Sequence, residues 1–178
     1  MLKIWAVVPT RLPLVRRRCH VCAAERFRAS GKFRVNANHK LLDAWLLVLC
    51  EGCGVTAKLA VLERVNVRSI PPEVLDKLHH NDRGLIAELL QERFALDWDG
   101  AWRLDTGGPD HPDGEGIEVS VRFEARIPIR PVRLIAAGCG LSRAEVERLI
   151  DDGKLVSAVR LRSRLSDDFT FTLKREAS

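Results

Sequence analysis

The sequence has no apolar run long enough to span a bilayer; Ala44 to Leu49 falls far short of one. No basic leader and no small-residue cleavage site accompany the apolar residues Met1 to Val8, so a secretory signal is not expected. A membrane partner is therefore set aside, and a cytoplasmic location is expected. Also missing are a Gly-rich phosphate loop, a nucleophile–base pair and an open metal site, so no catalytic activity is expected and no catalytic residue is assigned. An enzyme would have to be seated on His79, His80 and Asp97. What remains is 46% hydrophobic and 30% charged, the composition of an ordinary globular chain of one or two domains.

The five cysteines are unevenly placed. Four form two CxxC knuckles, Cys19-His-Val-Cys22 and Cys50-Glu-Gly-Cys53, with 27 residues between them. A thiolate pair at this spacing closes a tight turn on one metal, and two pairs supply four soft ligands in a tetrahedron. Zinc is the expected cofactor. With all four positions filled no water is left to activate, so its role is structural. The alternative is four buried or disulfide-bonded cysteines, which a reducing compartment disfavours. His20 lies inside the first knuckle and is read as a bystander. Cys139, between Gly138 and Gly140, is read as a small core residue.

Charge is segregated along the chain. Residues 1–68 carry 13 Lys/Arg against 4 Asp/Glu, residues 69–121 carry 4 against 12, and residues 122–178 carry 12 against 8. Two basic ends flank an acidic middle, which points to a polyanion such as nucleic acid. The plainer reading is charge that keeps the chain soluble. Arg16, Arg17 and Arg18 run into the first knuckle and are candidate phosphate contacts. Phe27 and Phe33 alternate with Arg26, Arg28, Lys32 and Arg34; they either stack on bases or plug the core beneath the metal.

Leu2 to Val8 reads as a strand, and Lys32 to Val35, the run through Trp45 into Cys50, and Val55 to Val67 read as ribbon strands, with Trp45 in the core. Pro71, Pro72 and Glu73 open one helix, and Asp82 caps another over Gly84 to Leu96. Residues 105–116 form a Gly-, Pro- and Asp-rich loop. Ile117 to Ile127 alternates as a half-buried strand. A short helix over Arg130 to Ala137 precedes Ser142 and Glu145, the capping-box pair of the next helix. Leu155 to Leu165 reads as a strand with Arg160, Arg162 and Arg164 on one face, partnered by Phe169 to Leu173. If Arg122 and Arg126 share that face, five arginines line one surface, either for phosphates or to blunt an exposed sheet.

Gly140 to Leu155, with its Ser-Arg opening, Leu-Ile pair and Gly before a strand, resembles the two-helix motif of the RNA-binding domain named after the fourth small-subunit ribosomal protein. That resemblance covers about a quarter of the chain. It implies contacts to structured RNA from Arg133, Ser142, Arg143, Arg148 and Lys154. It departs at Ile135, where the family often has Asp, and in its short first helix. The knuckles together with Phe33 to Asn38, Lys40 to Trp45 and Leu62 to Val65 resemble the bacterial family catalogued as domain of unknown function 1062. This second likeness covers nearly the whole chain and implies a cysteine-rich N-terminal part, a cytosolic setting and no particular activity.

The expected fold class is α+β: a zinc ribbon over 1–70, a helical middle over 71–104, a flexible loop over 105–116 and a small α/β RNA-binding-like unit over 117–178. The expected function is binding of structured RNA, ribosomal or transfer RNA. The rival is a zinc-ribbon adaptor or transcription-associated regulator that binds a protein.

Overall fold

A computed structural model describes residues 2–108 and 116–174. In chain order the elements are β1 (Leu2–Pro9), β2 (Leu14–Arg16), β3 (Arg26–Asn38), β4 (Leu41–Cys50) and β5 (Thr56–Asn66). Then come α1 (Pro72–His79), α2 (Arg83–Arg93), β6 (Leu96–Asp97), β7 (Trp102–Asp105) and β8 (Ile117–Phe123). Last are α3 (Pro131–Cys139), α4 (Arg143–Asp151), β9 (Leu155–Ser157) and β10 (Phe169–Leu173). No helix among the described residues is long and apolar enough to cross a membrane.

The α+β expectation with a separate helical middle is corrected. Among the described residues strand exceeds helix, 41% to 24%, in two five-stranded sheets. Contacts divide the chain into Leu12–Asp99, and Met1–Arg11 with Gly100–Ser178. The α1–α2 pair is not a domain of its own. Its apolar stripe, Leu78, Leu85, Ile86, Leu89 and Leu90, is buried against one face of the β2–β5 sheet. Two helices this short bury too little surface to stand alone. The stretch 71–104 also contains strand β6 and the first three residues of β7.

Within Leu12–Asp99 the sheet order is β5-β4-β3-β2-β6. In the interior strand β4 the even positions Leu42, Ala44, Leu46, Val48 and Cys50 are buried, and from Ala44 on they share one core with the helices. The odd positions, Trp45 among them, are half-buried on the opposite face. The strand is apolar on both faces, so its sequence does not say which face the core takes.

The other unit orders its strands β7-β1-β8-β10-β9. β1 belongs here and not to the cysteine-bearing sheet. It pairs parallel with β8 and antiparallel with β7. Trp5, Val7, Val121, Ile135 and Phe171 are buried in its core, with Trp5 edge-on to Phe171. α3 starts on Pro131 and stops where Gly140 turns left-handed at φ 67°. α4 is opened by the Ser142–Glu145 capping box. Strand β8 ends at Phe123, short of Ile127, and β9 ends at Ser157, short of Leu165. Of the expected loop over 105–116, Asp105 closes β7 and Gly107 and Gly108 take positive φ. Residues 109–115 lie outside the described residues.

Candidate metal centre

Both knuckles are hairpin turns of one sheet. The first joins β2 to β3 and the second joins β4 to β5. Because Phe27 pairs in register with Cys50, the two turns leave the sheet side by side. The Glu51 N–H donates across to the Arg26 carbonyl at 3.0 Å.

The turns repeat each other bond for bond. Cys19 N–H donates to the Ala24 carbonyl at 2.7 Å, and Cys50 N–H to the Val55 carbonyl at 2.9 Å. Ala23 N–H returns to Cys19 O at 3.0 Å, and Gly54 N–H to Cys50 O at 2.9 Å. Two residues after the first thiol of each turn, an amide points at sulfur: Val21 N–H to Cys19 Sγ at 3.4 Å and Gly52 N–H to Cys50 Sγ at 3.3 Å. The side chains at these two amide positions differ because only one turn is crowded. A Cβ on Gly52 would come 2.9 Å from both Ala24 Cβ and Cys22 Sγ. The glycine inside the second knuckle was the signal for this, whereas nothing in the sequence marked the Val21 amide.

Four sulfurs lie within 4.8 Å of one another. The short contacts join opposite knuckles: Cys19 Sγ to Cys53 Sγ at 3.8 Å and Cys22 Sγ to Cys50 Sγ at 3.5 Å. A disulfide needs about 2.05 Å, and all four are free thiols. Zinc–sulfur bonds of about 2.3 Å in a tetrahedron put the sulfurs about 3.8 Å apart. The donor set therefore fits a tetrahedral thiophilic metal. Cys19 and Cys50 are buried, while Cys22, Cys53 and the bystander His20 are exposed.

The protons behave as expected of crowded thiols. The Cys53 amide, with help from the Gly52 amide, draws the Cys50 thiol down to about 6. The Val55 amide favours the Cys53 thiolate, but desolvation and the Cys22, Cys19 and Cys50 sulfurs outweigh it and hold Cys53 up at about 11. Four thiolates this close cannot all ionise without a cation among them, and a bound metal would take the place of the protons.

The expected phosphate contacts are divided between the two units. Arg16 closes β2 and Arg17 and Arg18 follow it, all three exposed. In the other unit Arg122 is exposed on β8, but Arg126 lies beyond the strand, 3.6 Å from Asp167. The strand expected to align Arg160, Arg162 and Arg164 is a run of turns. Leu161 O accepts from Val132 N–H there, and Arg162 donates to Asp151 at 2.6 Å. The five-arginine sheet face is therefore corrected. Arg133 stacks over Trp102 at 5.3 Å. Ser142 spends its hydroxyl on the Glu145 amide, while Arg143 at the start of α4 and Arg148 in its last turn are both exposed. Lys154 is half-buried, and its carbonyl takes the Lys174 amide.

The seats considered for an enzyme are also dispersed. His80 caps α1 on the Asp76 carbonyl, and Asp97 faces Arg26 at 3.6 Å. His79 lines a cavity of about 530 Å³ with Phe33, Leu42, Leu75, Leu78 and Asn81, among which it is the one titratable side chain. Cys139 is half-buried at the end of α3, and burial pushes its thiol up.

No curated protein and no solved structure matches the chain. A family model described as "Protein of unknown function (DUF1062)" matches residues 35–161, which takes in the second knuckle and leaves out the first. Since that match spans well over half the sequence, the chain belongs to the DUF1062 family.

Proposed function

We propose that the protein is a zinc-stabilised RNA-binding protein of the bacterial cytosol, with Leu12–Asp99 acting as a zinc ribbon. The observation that carries the reading is the cross-strand pair Arg16 and Arg26, held in register beside the thiol cluster. Like charges directly opposite on a sheet destabilise it. Asp97 offsets Arg26 at 3.6 Å, yet Arg17 and Arg18 add two more exposed guanidiniums immediately before Cys19. A phosphate backbone would relieve that repulsion, and guanidinium suits it geometrically. The helix–helix–strand order of α3, α4 and β9 supports the likeness to the small ribosomal RNA-binding domain. In that unit Arg126 and Arg162 are taken up by Asp167 and Asp151, so the ribbon carries the greater share of RNA contact.

The test has two arms. Metal analysis of purified protein should find one zinc per chain, and a chelator should lower the melting temperature and expose four thiols. RNA affinity for a hairpin should fall steeply between low and moderate salt. Absence of any RNA binding at low salt defeats the functional reading, and four unreactive or disulfide-bonded cysteines defeat the metal.

An adaptor role is favoured by one feature: Leu2 and Ile4 on β1 are 60% and 55% exposed. Exposed aliphatics on a strand suit a protein contact. A defined partner retained after nuclease treatment would favour this reading over RNA.

A further inference from the structure

Resting on the RNA reading, we infer that the outer face of the β3–β4–β5 sheet binds unpaired nucleotides, with Trp45 as the base-stacking platform. This face is opposite the one covered by α1 and α2. Along it, β4 presents Trp45, Leu47 and Leu49, all half-buried. On one side their register partners are Arg34, opposite Trp45, and Arg28, opposite Leu49. On the other side they are Ala60, opposite Trp45, and Lys58, opposite Leu47. An apolar strip thus runs between two basic borders.

Two details say that the indole is open. Its neighbour on β5 is an alanine, whose methyl covers little of a ring. The Lys58 ammonium sits over the ring, 5.4 Å from its centroid, and Lys58 is itself exposed, so the ring face is reached from solvent on that side. The borders are charged to match a nucleotide backbone. Arg34 has no acidic partner among the described residues, and the Arg28–Glu51 pair, 3.5 Å apart with both side chains exposed, is of the kind that water largely screens. Asp43 is the one acid on the β4 strip, and its carboxylate already accepts the Arg64 amide at 2.8 Å.

The occupant follows from these groups. An aromatic face takes a base only when the base is unpaired, and cations along the strip take the phosphates between stacked bases. A paired RNA helix offers its bases to neither. A single-stranded segment, or the loop of a folded RNA, fits the face.

The experiment is fluorescence anisotropy of labelled oligouridine on the full-length protein, with oligodeoxythymidine, a blunt RNA duplex and polyglutamate as competitors. Trp45→Ala should weaken oligouridine binding by about five- to a hundredfold, the range for one stacked base, and Trp45→Phe should retain most of it. Arg34→Gln and Lys58→Gln should each lower the slope of log affinity on log salt by about 0.7. Should Trp45→Ala fail to fold, the two exposed cation variants and Trp45→Phe decide. Oligouridine binding that ignores all these changes overturns the face and leaves RNA binding standing. Preference for the duplex, or full competition by polyglutamate, likewise overturns the stacking site. Failure to bind any RNA at low salt overturns this inference together with the reading beneath it.

Discussion

Ala23 and Gly54 hold the same place in two equivalent turns, and both have a left-handed backbone, at φ 61° and 75°. Glycine accepts that conformation freely, whereas alanine carries a Cβ penalty of about 1–2 kcal/mol, partly offset by glycine's greater freedom when unfolded. Ala23→Gly should therefore stabilise the protein by up to about 1 kcal/mol. Gly54→Ala, where space is open but φ is positive, should destabilise it by a similar amount. Urea unfolding of both variants with metal bound checks this. Equal midpoints would mean that the two turns are not equivalent in solution.

Gly52 tests the cluster from a different side. Its φ is ordinary, so strain plays no part, but a Cβ there would press on Cys22 Sγ and Ala24 Cβ, each 2.9 Å away. The sulfur is the softer neighbour and would move. Gly52→Ala should lower metal affinity by about 10–100-fold, the usual effect of disturbing a group that orients a ligand. Competition with a chromophoric chelator reads this out. An unchanged affinity would show that Cys22 is not a ligand in the bound state.

The knuckles were legible because the chemistry is local: four cysteines at doubled CxxC spacing define two turns whatever surrounds them. Helix starts were legible for the same reason, since Pro72, Asp82 and Ser142 each act within one turn. Pairings made across the chain were not. β1 pairs with β8, more than a hundred residues away, and nothing in Leu2 to Pro9 says so. Trp45 was read as core because it sits in an apolar strand, yet both faces of Leu41–Cys50 are apolar and the burial pattern alone decides between them. The alternating arginines after Val159 imitate a strand. They form turns because Leu161 bonds back to the start of α3 and Arg162 reaches Asp151.

Trp5 and Gly138 make a second close fit, in the unit that holds β1. A Cβ on Gly138 would meet the Trp5 ring, with Cζ3 at 2.5 Å and Cζ2 at 2.8 Å. Trp5 is 4% exposed and lies edge-on to Phe171, with centroids 5.4 Å apart, so the ring has nowhere to go. Overpacking of this kind costs about 1–3 kcal/mol. The helix preference of alanine over glycine returns less than about 1 kcal/mol so near the end of α3. Gly138→Ala should therefore lower the urea midpoint. A gain in stability would mean that β1 and α3 separate more readily than their packing implies.

Acid should act on α4 through Glu145. The Ser142 amide donates to its carboxylate at 2.7 Å, and the Ser142 hydroxyl adds to this, so its pKa lies below the ordinary value. A depressed carboxylate contributes stability that is fully present above the unfolded value, about 4.3, and is lost as pH falls through the lower folded value. Other acids titrate in the same window, so the signal is the difference in urea midpoint between wild type and Glu145→Gln. That difference should be constant above about pH 5 and should shrink on acidification, because glutamine keeps an acceptor but has no charge to lose. Ser142→Ala removes only the hydroxyl side of the box and leaves the position-142 amide on the carboxylate, so it should reduce the pH dependence of the difference without abolishing it. A difference that grows in acid would show that Glu145 is held neutral, contrary to the geometry of the cap.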